Sequence, residues 1–546
     1  MGMASNRKKS QLNMRQKDRL FYGSLVLLAL FVFLFVGSRE PVLFDDSGSY
    51  MRVERFEGVM PLYPLFLFFN QCLFGTENYL AVVIVEQAVF SAACTILFVR
   101  EIKNKFFLQY AEGYFLFFLT LLPFTTELPQ AMMTQTILTE GLAYGAFYLL
   151  MLFFLRAVWE KRIRWAIVSC VTTFFLAMLR SQLQILFGVC GIVFWYVMWR
   201  RESAGRKRTA GILIGCAGCV LISLSGVWIS ARTVAGYHDI IRNNMRVNAF
   251  IMKVQEPEYF QKLSTNEDGE VKEGIELEEA VWKDQEEEAA ARKPVTTSQI
   301  TSLILSRGMY EADAEDVWLY EDAMVRGLYE ALYEAVDQER QRYAYEKKGL
   351  WMWKDIVGGI GQSGKTCLSA GVRYYQENYP EIYESARFNE VWNDSLRTIG
   401  IKLLQAHFAR FLYHTLMLLP QAFICTVFFQ IAPIYLLCHL VTLFLYLSAA
   451  ALMIWGYADR KVSESSAEFM ALVLGTNLVL VFIISLVFFG QQRYLVYAFG
   501  MFYIAYYVLL RKLWNLYLRG RAIQLWKGIR RENGAEQGKG KKKKRG

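Results

Sequence analysis

The chain has only four histidines, and none of them is placed to bind a metal. His238, His407, His414 and His439 fall at no i, i+4 spacing and in no HExxH pattern. Its nine cysteines are scattered and most lie inside apolar runs, with Cys367 the one clearly in polar sequence. This excludes a zinc spacing and a disulfide framework. The chain also lacks a basic soluble region. The long polar stretch, residues 231–400, holds 31 Asp and Glu against 20 Lys and Arg, although the whole chain is +10. A nucleic-acid partner would require the opposite sign there. No small-residue cleavage site follows the first apolar run, Leu20–Val36; the next residues are Gly-Ser-Arg-Glu-Pro. That run therefore reads as a retained helix and not as a signal peptide.

What the chain does have is apolar sequence in quantity: 54% of 546 residues, with 15% aromatic. The apolar residues gather into runs long enough to cross a bilayer as helices. The expected crossings are Leu20–Val36, Tyr79–Val99, Phe106–Phe124, Ile137–Leu155, a run ending at Leu179, Leu183–Trp199, Gly211–Ser230, Pro433–Trp455, Phe469–Phe489 and Tyr494–Leu510. Basic clusters flank them at 7–19, 100–105, 156–164, 200–208, 460–461 and the Lys-rich tail. With ten crossings every cluster falls on one side, which the positive-inside rule makes cytoplasmic. The fold class is thus an all-α polytopic membrane protein of 10–12 crossings, in the plasma membrane, with both termini cytoplasmic.

The same pattern divides the chain. A basic arm, 1–19, precedes a transmembrane module over 20–230, whose first outer loop is 38–78. A mainly helical extracytoplasmic domain follows over 231–400, then an interfacial segment over 401–432. If 401–432 instead forms two crossings, the total is twelve and the sidedness is unchanged. The C-terminal helices occupy 433–511 and a basic cytoplasmic tail, 512–546, meets anionic headgroups. Membrane lipids are expected partners; nucleic acid is not.

Several polar residues stand where apolar packing does not need them. Asp45 and Asp46 sit in the turn Phe44-Asp-Asp-Ser-Gly-Ser-Tyr50 at the mouth of the first crossing. They suit a general base, a metal ligand or a phosphate-site organiser, and equally a solvated helix cap. Arg180 and Gln182 occupy a tight turn between two crossings, and Arg493-Tyr494 another. Outer-face arginines run against the charge bias; they either snorkel to lipid or clamp phosphate. Glu140 opens the fourth crossing, while Glu86 and Glu112 lie at membrane depth, where a carboxylate faces a cavity or another helix. Pro61–Phe69 reads as a short helix in the outer interface. Gly359-Ile-Gly-Gln-Ser-Gly-Lys365-Thr366 matches GxxxxGK[ST] formally, but no apolar strand precedes it and no βαβ unit surrounds it. It is expected to be a flexible loop.

This order of parts resembles the GT-C superfamily of membrane glycosyltransferases, nearest the branch of protein O-mannosyltransferases and aminoarabinose transferases. Asp46-Ser-Gly-Ser-Tyr50 resembles the first-loop Asp-x-x-x-Tyr pattern, and Met60-Pro-Leu-Tyr-Pro-Leu65 the stretch that follows it. Leu138-Thr-Glu140-Gly-Leu142 is similar to the start of the fourth helix, with Arg180 closing the fifth, and Gln492-Arg493-Tyr494 to the late Arg-Tyr. The likeness covers 20–230, is weaker over 433–511 and is absent over 231–400.

The resemblance implies transfer of a sugar from a polyprenyl-phosphate donor to an extracytoplasmic glycan, lipid or protein. Asp46 is then the catalytic acid, with Asp45 as its neighbour. Tyr50, Glu140, Arg180, Gln182, Arg493 and Tyr494 would line the substrate site. No second acidic motif fixes a metal site, so no cofactor is assigned and a divalent metal stays open. The rival readings are a transporter or lipid flippase, and a sensory protein whose outer domain binds a partner. Against the transporter, the segments show no internal repeat.

Overall fold

In hydrocarbon each backbone N–H and C=O must be paired within its own segment, and the apolar runs fold accordingly. Among the described residues of this computed structural model the regular elements are helices, apart from one isolated parallel bridge between Val42 and Thr136. Described are residues 2–35, 40–44, 47–51, 53, 60–125, 133–201, 206–263, 297, 299–346, 352–385, 387–427, 435–458, 463–487, 495, 497–515 and 517.

The first half contains α1 (Gly2–Phe35), α2 (Ser47–Met51), α3 (Leu62–Lys105), α4 (Tyr110–Thr120), α5 (Glu140–Glu160), α6 (Ile163–Leu179), α7 (Leu186–Arg201) and α8 (Arg206–Asn243). Short helices α9 (Met245–Gln255) and α10 (Pro257–Leu263) follow. A helical unit is built from α11 (Gln299–Glu311), α12 (Ala323–Glu346), α13 (Met352–Asn378), α14 (Pro380–Glu384) and α15 (Phe388–Ala406). The chain ends with α16 (Phe408–Ile424), α17 (Tyr435–Ala458), α18 (Glu464–Val487) and α19 (497–515).

Among the described residues, seven helices are long and apolar enough to cross a membrane: Arg15–Phe35, Leu62–Lys105, Glu140–Glu160, Ser181–Arg201, Thr209–Ile241, Leu436–Ala458 and Glu464–Leu486. Three expected crossings take shorter forms. The fifth is α6, with 17 residues; the third is α4, with 11, followed by a 3-10 turn at Leu122–Thr125 containing Pro123. The tenth is α19, which is described continuously only from 497.

α5 is the most buried of the seven and forms the centre of the bundle. It crosses α3 closely because Gly141 and Gly145 present no side chain to it. A Cβ on Gly145 would stand 3.0 Å from the Ser91 Cα, and one on Gly141 would collide with Gln87. Small residues four apart let two membrane helices approach in this way. One end of the bundle is belted by ion pairs: Arg156 Nη2 with Glu101 at 2.6 Å, Arg511 Nη2 with Glu112 at 2.9 Å, Lys103 with Asp18 at 3.7 Å, and Arg200 with Glu464. Glu112 thus has a structural partner at that end of the bundle, and Glu86 accepts from Asn70 Nδ2 at 2.8 Å.

Three local expectations change. The helix begun at Pro61 does not lie apart. It is the first limb of α3, which breaks at Gly75 with φ 75° and folds back so that Tyr63 meets Gln87 and Asn70 meets Glu86. A positive φ is open to glycine at no steric cost. The GxxxxGK[ST] segment is no loop: it lies inside the continuous helix α13, where successive N–H groups are spent on the helix and cannot wrap a phosphate. Gly364 is there because α11 passes close; a Cβ would collide with Ser306. Of the two acidic stretches read as helices, 274–292 lies outside the described residues, while 311–347 becomes a 3-10 turn, Ala314–Leu319, and α12.

The 299–406 unit has its own core, with Leu305, Leu332, Tyr375, Trp392 and Leu396 fully buried. It joins the bundle through α16, whose C-terminal half packs on α17 and α18.

Candidate functional site

The site is assembled where the N-terminus of α5 meets the turn after α6. Glu140 is the first residue of α5, where the unpaired N–H groups and the helix dipole favour a carboxylate. Its side chain is only 5% exposed and forms an ion pair with Arg180, itself 11% exposed. Thr139 Oγ1 donates to Glu140 Oε2 at 3.1 Å. Arg180 ends α6 in extended backbone, φ −147° and ψ 125°, before the 3-10 turn Ser181–Ile185. From the other side of the bundle, Arg180 Nη1 donates to the Tyr497 hydroxyl at 3.1 Å. Tyr497 is fully buried in α19. One arginine therefore ties three helices, α5, α6 and α19.

The first outer loop is stitched onto the same place. Val42 N donates to Gln135 O and Ile137 N to Val42 O, both at 3.0 Å. The Ser47 hydroxyl donates to Ile137 O at 2.9 Å and accepts from Phe44 N at 2.9 Å. Ile137 is three residues before Glu140. Phe44 and Ser47 are the immediate neighbours of Asp45 and Asp46, so the chain on both sides of that pair is fixed to the lead-in of α5. Asp45 and Asp46 themselves lie outside the described residues, as do Arg493 and Tyr494.

Tyr50, one turn further, packs edge-on against Tyr63 with ring centroids 5.4 Å apart. Tyr63 and Tyr497 both lie within electrostatic reach of Tyr50 and Glu140. Tyr50, Glu140 and Arg180 are thus brought together around Tyr63 and Tyr497. Gln182 follows two residues on, and its Nε2 is buried with no hydrogen-bond partner.

A further buried polar residue, beside Glu86 in the sequence, anchors this cluster. Gln87 is fully buried in α3; it accepts from the Tyr63 hydroxyl at 3.2 Å and donates to the carbonyls of Thr134 and Thr136 at 3.2 and 3.3 Å. It locks the segment before α5, and hence the first loop, to α3. The available signal was an amide within an apolar run together with the glycines spaced to pack on it. Tyr63 and Tyr497 gave no such signal, since a tyrosine in a membrane run is common.

Among the described residues no group of three His, Cys, Asp or Glu side chains gathers as a metal site. Glu140 is engaged by Arg180. No family model, curated protein or solved structure matches this chain. Chemically, the cluster offers a buried guanidinium aimed by a carboxylate and a phenol, a neutral amide donor, and two aromatic hydroxyls.

Proposed function

We propose that the chain is a multi-pass glycosyltransferase that moves a sugar from a polyprenyl-phosphate donor to a glycan, lipid or protein acceptor on the extracytoplasmic face. The observation that carries this reading is the buried Arg180–Glu140 pair, set against the loop whose anchored flanks bracket Asp45 and Asp46. An arginine fixed before any ligand arrives is pre-organised, and its planar fork suits phosphate oxygens. Both termini are taken as cytoplasmic, so the site faces the side without nucleotide sugars, which selects a lipid-linked donor.

In this reading the acceptor hydroxyl attacks the anomeric carbon and gives its proton to Asp46. The bond between that carbon and the phosphate oxygen breaks, and the polyprenyl phosphate leaves with the electron pair. Arg180, with Arg493, stabilises the charge growing on the leaving phosphate. Glu140 holds Arg180 in place, a narrower task than orienting an acceptor or a cation. Gln182 supplies a further N–H to the substrate, and Tyr50 packs beside it. The transporter reading draws support from carboxylates at membrane depth, but Glu86, Glu112 and Glu140 are each bonded to a fixed neighbour.

Purified chain in vesicles with a labelled polyprenyl-phosphate sugar provides the test. Arg180→Gln should lower kcat/KM for the donor by roughly 10²-fold. Unchanged donor dependence in that variant would remove the phosphate role.

A further inference from the structure

α16 has two faces of opposite character. One carries His407 at its N-cap, then Arg410 and His414, and each meets a carboxylate of the 299–406 unit. His407 Nε2 lies 2.7 Å from Asp316, Arg410 Nη2 donates to Asp313 at 2.9 Å, and His414 Nδ1 lies 2.8 Å from Glu311. The other face carries Phe408, Leu412, Tyr413 and Leu416, which are 59%, 44%, 51% and 54% exposed. Beside it opens a groove of about 380 Å³, lined by Ile304, Ile401, Leu404, Gln405, Phe408 and Phe411. A continuous apolar surface of this kind marks a binding site, since in water it is costly.

What covers it follows from where α16 goes. Near its C-terminal end the Phe423 ring lies 5.1 Å from the Tyr446 ring, and Thr426 Oγ1 is 2.6 Å from the Tyr446 hydroxyl. Tyr446 comes eleven residues after the first residue of α17, about 16 Å along that helix. α16 therefore descends into the bundle. Leu416 lies ten residues before Thr426, about 15 Å back along the chain's helical path from that contact. α17 is one of the seven membrane-length helices, and its first turns expose Leu436, Leu437 and Leu440. α16 thus carries its exposed apolar face on a helix whose far end is packed against a membrane-length one. Its polar face is already taken by Asp316, Asp313 and Glu311, so the helix cannot rotate to hide the apolar one.

We infer that this face and its groove form a lipid-binding surface, occupied by the acyl chains of bilayer phospholipid, by which the 299–406 unit rests in the membrane. The inference does not depend on the transfer chemistry.

The test uses the full chain in vesicles of phosphatidylcholine and phosphatidylglycerol, with benzoylphenylalanine replacing Phe408, Leu412 or Leu416. Exposed Glu381 serves as the control; it lies beyond the far end of α13 from Ile360, the residue that packs on Leu418. After irradiation, mass spectrometry should find phospholipid adducts at 408, 412 and 416, several-fold above those at 381. A second arm needs no substitution: phosphatidylcholine with a photoreactive acyl chain should label the 401–416 peptides of the wild-type chain. Equal labelling at 381, or none within 401–416, overturns the inference. So does displacement of phospholipid at these positions by added polyprenyl phosphate, which would assign the groove to the donor's chain.

Discussion

Arg180 and Glu140 are each recognisable in the sequence as charges out of place, but their pairing is not. Forty residues separate them, and only the packing of α5 on α6 brings them together. The pairing sets a sharp expectation for stability. Removing one partner of a buried ion pair leaves the other uncompensated, at about 3–5 kcal/mol. Glu140→Gln and Arg180→Gln should each lower unfolding stability in detergent by about that order, and the double variant should recover part of the loss, because neither charge is then stranded. Strictly additive losses would mean that the two side chains do not share a buried site. Tyr497 was missed for a related reason: it is an ordinary residue for its helix, and its importance comes from a guanidinium supplied by another segment.

At the scale of elements, the sequence period revealed which stretches are helices more readily than how they lie. The glycine run at 358–364 looked like a break because glycine weakens isolated helices. Tertiary packing overrides that preference, since α11 needs the space at Gly364. The same logic applies at the α3–α5 crossing, with larger consequences for the site. Gly141→Val should destabilise the chain by about 1–3 kcal/mol or more, as overpacking does, and should loosen the loop that Gln87 holds. Gly475→Val in α18 is the matched control: a Cβ there meets nothing within 4 Å. Thermal unfolding of both variants compares them directly, and equal losses would place the α3–α5 contact elsewhere. The fold-back of α3 at Gly75 was not legible, because an apolar helix that turns through a single glycine has the same composition as one that runs straight.

For the whole molecule, the all-helical class and most of the long helices were legible from run length alone. The belt of ion pairs agrees with the charge pattern: residues from the basic clusters at 100–105, 156–164 and 200–208 meet carboxylates at one end of the bundle. This predicts a topology. Protease-cleavable tags at either terminus should be cut only after cells are lysed, whereas a tag at Glu381 should be cut in intact cells; the reverse pattern would put the site in the cytoplasm and remove the case for a lipid-linked donor. The assembly of the site was less legible, since it depends on a bridge between Val42 and Thr136 and on the Ser47 hydroxyl reaching Ile137, contacts across about ninety residues that no local pattern announces. The account is tested most directly by sugar transfer itself. With a labelled polyprenyl-phosphate sugar and an envelope acceptor fraction, the wild-type chain should move label to the acceptor, and Asp46→Asn should slow this by roughly 10²–10⁴-fold, the usual loss of a general base. Transfer by Asp46→Asn and Asp45→Asn at the wild-type rate would contradict it.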